Sequence, residues 1–292
     1  MTKIDGFDYH RLPVDGDIAL NVATGGAGSP IVLLHGFPQT HLIWRHVAAD
    51  LAADHQVIVP DLRGYGASDK PADLDGQTYS KRRMAQDVVN LARVLGHDRF
   101  ALAGHDRGGL VAFRAGLDHP EAVTHLAPID MLPTADMWEV MNGVAGVIGF
   151  HLHLMAQPPG LPERLIGAAP EAFFGYFLDA WTRDPAAIPA DVRAAYLSAS
   201  REAVTSIVAD YRASAGVDRE HDLADRAAGR RLRMPVTVLQ QDWSSVVPYD
   251  AVALWGAWAA DLEHQTITTG HFVAEEDPGL VAGALRALLG RG

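Results

Sequence analysis

Cysteine is absent from the 292 residues, which removes disulfides, thiolate metal sites and a sulfur nucleophile together. Any covalent catalysis must therefore run through another atom. Basic residues are outnumbered, 24 Lys and Arg against 36 Asp and Glu, for a formal net charge of −12. With no dense basic stretch to track phosphates, nucleic acid and anionic membrane surfaces are not expected partners. A small anion held by one or two local arginines stays compatible with an acidic exterior. No apolar run reaches the ~18 residues of a membrane span, and Met1-Thr2-Lys3-Ile4-Asp5-Gly6 does not open a charged leader with an apolar stretch behind it. The expectation is a cytoplasmic protein.

Two further absences narrow the chemistry. Fourteen histidines include no His-Glu-x-x-His, and His151-Leu152-His153 alone does not make a metal hydrolase; Gly64-Tyr65-Gly66 lacks the third glycine of a dinucleotide loop, and Asp69 would repel a pyrophosphate there. No metal or organic cofactor is expected. There is no internal repeat and no low-complexity tract.

What is present is ordinary globular composition, 48% hydrophobic and 21% charged. Short unalternating apolar runs end abruptly in turn residues: Ile31–Leu34 before His35-Gly36, Val57–Pro60 before Asp61, Phe100–Ala103 before Gly104, and Pro235–Leu239 before Gln240. They read as buried strands. Between them, Met84–Leu95 repeats apolar residues at three and four, as a surface helix does. This alternation predicts an α/β fold: a mostly parallel sheet flanked by helices, with ligands beyond the carboxyl ends of the strands. From about Met131 to Arg230 strand character stops. The expected organisation is a core of residues 1–130 and 230–292, with 131–229 inserted as a helical cap over the site.

Phe100–Ala103, then Gly104-His105-Asp106-Arg107-Gly108, then a helical run has the form of a nucleophile elbow, with Asp106 at the position where many hydrolases carry serine. Flanking glycines belong there because the central residue sits on a tight, strained strand-to-helix turn. His35-Gly36-Phe37-Pro38 follows the first apolar strand, and the backbone N–H groups of Phe37 and Arg107 can form an oxyanion hole. His271, in Gly270-His271-Phe272 after the last strand-like run His264–Thr268, is the candidate general base. Two acids near strand ends can orient it, Asp130 and Asp242. The late acid usually stands about four residues before a loop proline, yet counting back from Pro248 reaches Ser244; Asp130 is preferred and Asp242 is the fallback. A binding protein on the same scaffold would be expected to lack Asp106 or His271.

His35–Thr40, Asp61–Pro71, His105–Gly108 and Asp130–Thr134, with Ala156-Gln157-Pro158, Trp181-Thr182-Arg183, Asp210–Ala213 and Gly270-His271-Phe272, resemble the fluoroacetate (haloacetate) dehalogenases of the α/β-hydrolase fold. The likeness covers nearly the whole chain. It implies that Asp106 forms an ester with the carbon bearing the leaving group and that His271, oriented by Asp130, activates water to hydrolyse it. It also implies a homodimer through the cap and a small-molecule substrate.

The resemblance further implies two arginines for the substrate carboxylate. Arg107 fills the first position and Leu110 the second, with Arg114 one turn further on. The leaving-group pocket implied by the family, a His-Trp pair and a Tyr, becomes His151, Leu152 and Tyr211, with His153 as a nearby substitute donor. Haloacid dehalogenation is the first expectation. The alternative is an epoxide hydrolase, in which His151 and Tyr211 stabilise the opening oxygen and neither a second arginine nor a tryptophan is needed.

Overall fold

The computed structural model describes residues 2–244, 247 and 249–291; Pro248, used above to count back to Ser244, lies outside them. Eight strands, β1 (Asp8–Asp15), β2 (Ile18–Gly25), β3 (Ser29–Leu34), β4 (His55–Pro60), β5 (Phe100–His105), β6 (Val123–Ile129), β7 (Val236–Gln241) and β8 (Leu262–Ile267), form one sheet. Their order is β1-β2-β4-β3-β5-β6-β7-β8. β1 and β2 run antiparallel at one edge, and every pair from β4 to β8 is parallel.

Alternate residues of the central strands enter two separate apolar layers. Val32, Leu34, Ile58 and Leu102 face one layer, and Ile31, Leu33, Val57, Val59, Ala101 and Ala103 face the other. Burial on both faces is why these strands read as continuous apolar runs. Helices Lys81–Val94 and Arg107–Asp118 cover the first face; Arg45–Leu51 and Pro278–Leu289 cover the second. Among the described residues no helix is long and apolar enough to cross a membrane.

β1 and β2 were not expected from the sequence, and of β6 only the end before Asp130 was. β1 is an edge strand with most residues exposed or half-buried, so no apolar run marks it, and β6 is broken by Thr124, His125 and Pro128. β8 spans Leu262–Ile267 rather than His264–Thr268. Between Ile129 and Val236 the elements are helical, from Thr134–Val140 through Arg219–Ala227.

The parallel strands bring their carboxyl ends to one rim of the sheet, where the loops after β3, β5, β6 and β8 carry Phe37, Asp106, Asp130 and His271. Asp106 has φ 49° and ψ −116°, a conformation costly for any residue with a Cβ. The turn is tight on both sides. A Cβ on Gly108 would stand 2.4 Å from the His35 carbonyl oxygen and 2.6 Å from that of Leu34, and one on Gly104 would stand 2.2 Å from the Gly108 oxygen. Because these obstacles are backbone, relief requires moving β3 from the elbow. Gly108→Ala is therefore expected to cost about 3 kcal/mol, the upper end for overpacking, read as a lower denaturant midpoint; unchanged stability would contradict this packing.

Candidate active site

Asp106 lies at the junction of β5 and the following helix, with one fifth of its side chain open to the cavity. Its Oδ1 accepts the Phe37 N–H at 2.7 Å, and the Arg107 amide also favours the charged carboxylate. Both amides were expected from the sequence as oxyanion donors, and both act on this one carboxyl group. Burial raises the Asp106 pKa above its usual range, against the lowering influence of His271, Arg107 and the two amides.

His271 enters from the loop after β8. Its Nδ1 meets Asp130 Oδ2 at 2.6 Å, while Nε2 has no hydrogen-bond partner among the described residues and stands 4.0 Å from Asp106 Oδ2. Asp130 is held in turn: it has φ 48°, and its Oδ1 accepts the Gln241 N–H at 2.9 Å. Burial alone would lower the His271 pKa, but the Asp130 hydrogen bond and the charges of Asp130 and Asp106 raise it above 6.5. The structure brings Asp130 to this histidine. Asp242 is exposed at the cavity wall and hydrogen-bonds the Ser244 amide instead.

Two residues not expected from local motifs complete the histidine's surroundings. Trp181, from the cap, accepts the His271 N–H on its carbonyl at 2.8 Å and packs its ring 4.9 Å from the imidazole. His105 places Nε2 2.8 Å from the His271 carbonyl oxygen; burial holds its pKa well below 6.5, so this nitrogen donates. Trp181 stood in a quoted motif, but only its place beside His271 shows what it does.

A cavity of about 260 Å³ lies over Asp106, lined from the sheet side and from the helices between β6 and β7. Leu110, Met131, Leu132, Met137, Ile148 and Leu152 make much of its wall. His151 and Tyr211 also line it. His151 stacks on Phe37 with the rings 11° from parallel and 6.0 Å apart, and burial, then Arg107 and His271, push its pKa down to about 3, so the ring is neutral. The Tyr211 hydroxyl makes no hydrogen bond among the described residues. Burial and then the Asp106 charge raise its pKa well above 10, which keeps the phenol protonated as a donor.

Arg107 lines the cavity but is not free. Nε reaches Asp210 Oδ2 at 2.8 Å; Nη2 reaches Asp210 Oδ1 and its carbonyl oxygen, both at 3.0 Å. The guanidinium carbon lies 4.0 Å above the Tyr211 ring, within cation–π range. Two other sequence candidates face elsewhere. Arg114 is buried against Asp222 and Asp225, the structural partners that neutralise it, and His153 is exposed, bonding the Met141 carbonyl at 3.1 Å.

An eight-stranded, mostly parallel sheet, a strained elbow beyond one strand end and an Asp-His-Asp constellation under a helical insertion define an α/β hydrolase. The comparisons agree. The family model described as alpha/beta hydrolase fold matches residues 29–148. The chain is 36% identical to the fluoroacetate dehalogenase of Burkholderia sp over 98% of its own length and 94% of that protein. With the soluble epoxide hydrolase of Corynebacterium sp. (strain C12) it shares 43% identity over 125 residues, 43% of this chain and 42% of that one. Among solved structures, an α/β hydrolase from Nostoc sp PCC 7120 superposes with a TM-score of 0.94 at 36% identity, covering 99% of this chain and 100% of that one. The chain belongs to the α/β-hydrolase family and is an enzyme of the hydrolase class, with both dehalogenase and epoxide hydrolase relatives.

Proposed function

We propose that this hydrolase opens a small uncharged epoxide to a diol, with Asp106 as covalent nucleophile. The observation that carries the reading is the pair of neutral donors, Tyr211 and His151, on the wall of an apolar cavity that also holds Asp106. Asp106 attacks an epoxide carbon; the ring C–O bond breaks as Tyr211, with His151 beside it, supplies hydrogen bonds and a proton to the departing oxygen. The ester that results presents its carbonyl oxygen to the amides of Phe37 and Arg107. His271 then takes a proton from water, the hydroxide adds to the ester carbonyl, and the diol leaves. The proton on His271 restores Tyr211, so the net reaction is addition of one water.

Two features support an uncharged substrate. Leu110 stands where the resemblance implies a second carboxylate-binding arginine, Leu152 where it implies a leaving-group tryptophan, and both are buried in the cavity wall. The cavity also has room for far more than a two-carbon acid. A second reading, hydrolytic dehalogenation of a haloacid through the same Asp106 ester, is favoured by one finding, the full-length similarity to the Burkholderia fluoroacetate dehalogenase. It is also the first expectation from sequence; Leu110, Leu152 and the two neutral donors support the epoxide reading over it.

Incubation with fluoroacetate, chloroacetate and a small aryl or alkyl epoxide, assaying both halide and diol, separates the two. Diol without halide is expected, and halide without diol would overturn the proposal. Tyr211→Phe is expected to lower epoxide turnover about 100-fold, the usual loss on removing one donor to a developing oxyanion, with KM little changed. A wild-type rate in that variant would remove Tyr211 from the mechanism.

The pH dependence has a defined sign. His271 must be neutral to accept a proton, so ester hydrolysis fails as pH falls through its pKa. In the free enzyme that pKa is raised partly by the Asp106 charge, which esterification removes. The acid limb of single-turnover ester decay is therefore expected at lower pH than the His271 titration followed by NMR in the free enzyme. A limb at or above that titration would contradict the electrostatic coupling.

A further inference from the structure

Two successive amides of the loop that carries the general base find partners outside it. The His271 N–H reaches the Trp181 carbonyl at 2.8 Å, and the Gly270 N–H reaches Glu276 Oε2 at 3.1 Å. The same oxygen accepts the amides of Arg183 at 3.2 Å and Asp184 at 3.1 Å. Glu276 ends the short helix Val273–Glu276 that follows His271, whereas Arg183 and Asp184 follow the cap helix Pro170–Trp181. One carboxylate oxygen therefore gathers three amides from segments far apart in sequence, and the Arg183 guanidinium adds a bond to the Thr268 carbonyl.

The packing around this oxygen is tight. Glu276 Oε1 is buried with no hydrogen-bond partner among the described residues. A Cβ on Gly270 would stand 2.3 Å from Glu276 Oε1, 2.4 Å from the Trp181 carbonyl oxygen and 2.7 Å from the Arg183 nitrogen, so only a bare Cα lets the loop lie against the carboxylate and the cap backbone at once. Asp130 fixes the imidazole through Nδ1. Where Nε2 stands over Asp106 then depends on where the backbone of residue 271 stands, and the amides of Gly270 and His271 set that.

We infer that Glu276 is a positioning residue for the second half of the reaction: by clamping the Gly270-His271 loop to the cap segment after Trp181, it holds His271 Nε2 where it can activate water against the Asp106 ester. Glu276 touches neither substrate nor ester and acts through His271. Because alkylation of Asp106 does not use His271, the clamp affects one step and spares the other. The inference rests on the Asp106 ester of the proposed function, which the haloacid reading shares, and is indifferent to which substrate forms it.

The test is a rapid-quench single turnover of styrene oxide with the intact enzyme in excess, which separates ester formation from ester decay. Glu276→Ala is expected to form ester at a rate close to wild type and to lose about 10²-fold in decay, the effect of a ~1 Å misplacement of a catalytic group. Glu276→Gln keeps an acceptor for the three amides but not its charge, and charge-assisted hydrogen bonds are roughly twice as strong as neutral ones, so its decay is expected between the two. Gly270→Ala forces the loop off the same clamp with Glu276 still in place, and is expected to reproduce the slow decay. A decay constant is first order and independent of the folded fraction, so lost stability alone would leave it unchanged, while general distortion of the site would slow both steps.

Wild-type decay in Glu276→Ala, or equal slowing of formation and decay, would overturn the inference; if both alanine variants fail to fold, wild-type decay in Glu276→Gln would do so. A second readout needs no turnover. The His271 Nδ1 proton, in its bond to Asp130, is expected to give a sharp low-field NMR resonance in wild type, a broadened one in Glu276→Ala and a sharp one again in Glu276→Gln. Absence of ester in wild type with both styrene oxide and chloroacetate would remove the Asp106 mechanism, and broadening in Glu276→Ala would still support the clamp. A resonance as sharp in Glu276→Ala as in wild type would remove the clamp whatever chemistry Asp106 performs.

Discussion

His271→Ala is expected to stop turnover while leaving the first chemical step intact, so that a covalent ester accumulates on Asp106. The reason lies in the geometry. His271 Nε2 is 4.0 Å from Asp106 Oδ2, too far for a direct hydrogen bond, and it has no hydrogen-bond partner among the described residues; it is placed to act on a water between them rather than on the carboxylate. Alkylation needs only an ionised Asp106 and a donor to the leaving oxygen. Loss of the general base should slow steady-state turnover by roughly 10³-fold, the middle of the range for general base catalysis. Intact-mass analysis then identifies the chemistry as well as the residue. An epoxide adds its whole mass, because no atom leaves, whereas a haloacid adds its mass less that of hydrogen halide. A variant that turns over slowly with no adduct from either class would argue against a covalent intermediate.

Asp106→Asn is expected to be more severe, since it removes the atom that forms the new bond. A loss approaching 10⁶-fold in kcat is the order seen when a covalent nucleophile is deleted from a cooperating constellation. Asparagine is the appropriate replacement because it keeps the hydrogen-bonding shape of the side chain and tolerates positive φ better than most residues. Thermal stability should change little, or rise: burial already disfavours the Asp106 charge, and Asn removes it. Residual activity within tenfold of wild type would exclude Asp106 as nucleophile.

The parts legible in the sequence were those written in contiguous residues. β5 and the elbow announce themselves because five consecutive positions, Gly104 to Gly108, each meet a steric or chemical requirement of the same turn. The strands β3, β4 and β7 show as apolar runs because they are buried on both faces. β1 does not, since an edge strand carries Asp8, His10 and Arg11 facing water or half-covered, and nothing in that composition separates it from a loop.

The choice between Asp130 and Asp242 was open on sequence because both stand near strand ends. The two differ in what the chain does next: Asp130 adopts a positive φ that turns its carboxylate toward His271, 141 residues away. Asp210 was quoted only as part of a motif. Its contact with Arg107 spans 103 residues, and no periodicity relates a cap helix to an elbow in the core. Leu110 and Leu152 were visible as departures from a family, and the structure adds that both lie buried in the cavity wall.

In the proposed mechanism the oxygen delivered to substrate comes from Asp106 and not directly from water. A single turnover in H₂¹⁸O with enzyme in excess over substrate tests it most directly. Water adds to the ester carbonyl, so the predicted result is diol without ¹⁸O from the first turnover and a peptide containing Asp106 heavier by one ¹⁸O. Diol that carries ¹⁸O in that first turnover, with an unlabelled Asp106 peptide, would mean direct attack by water and would contradict the covalent mechanism.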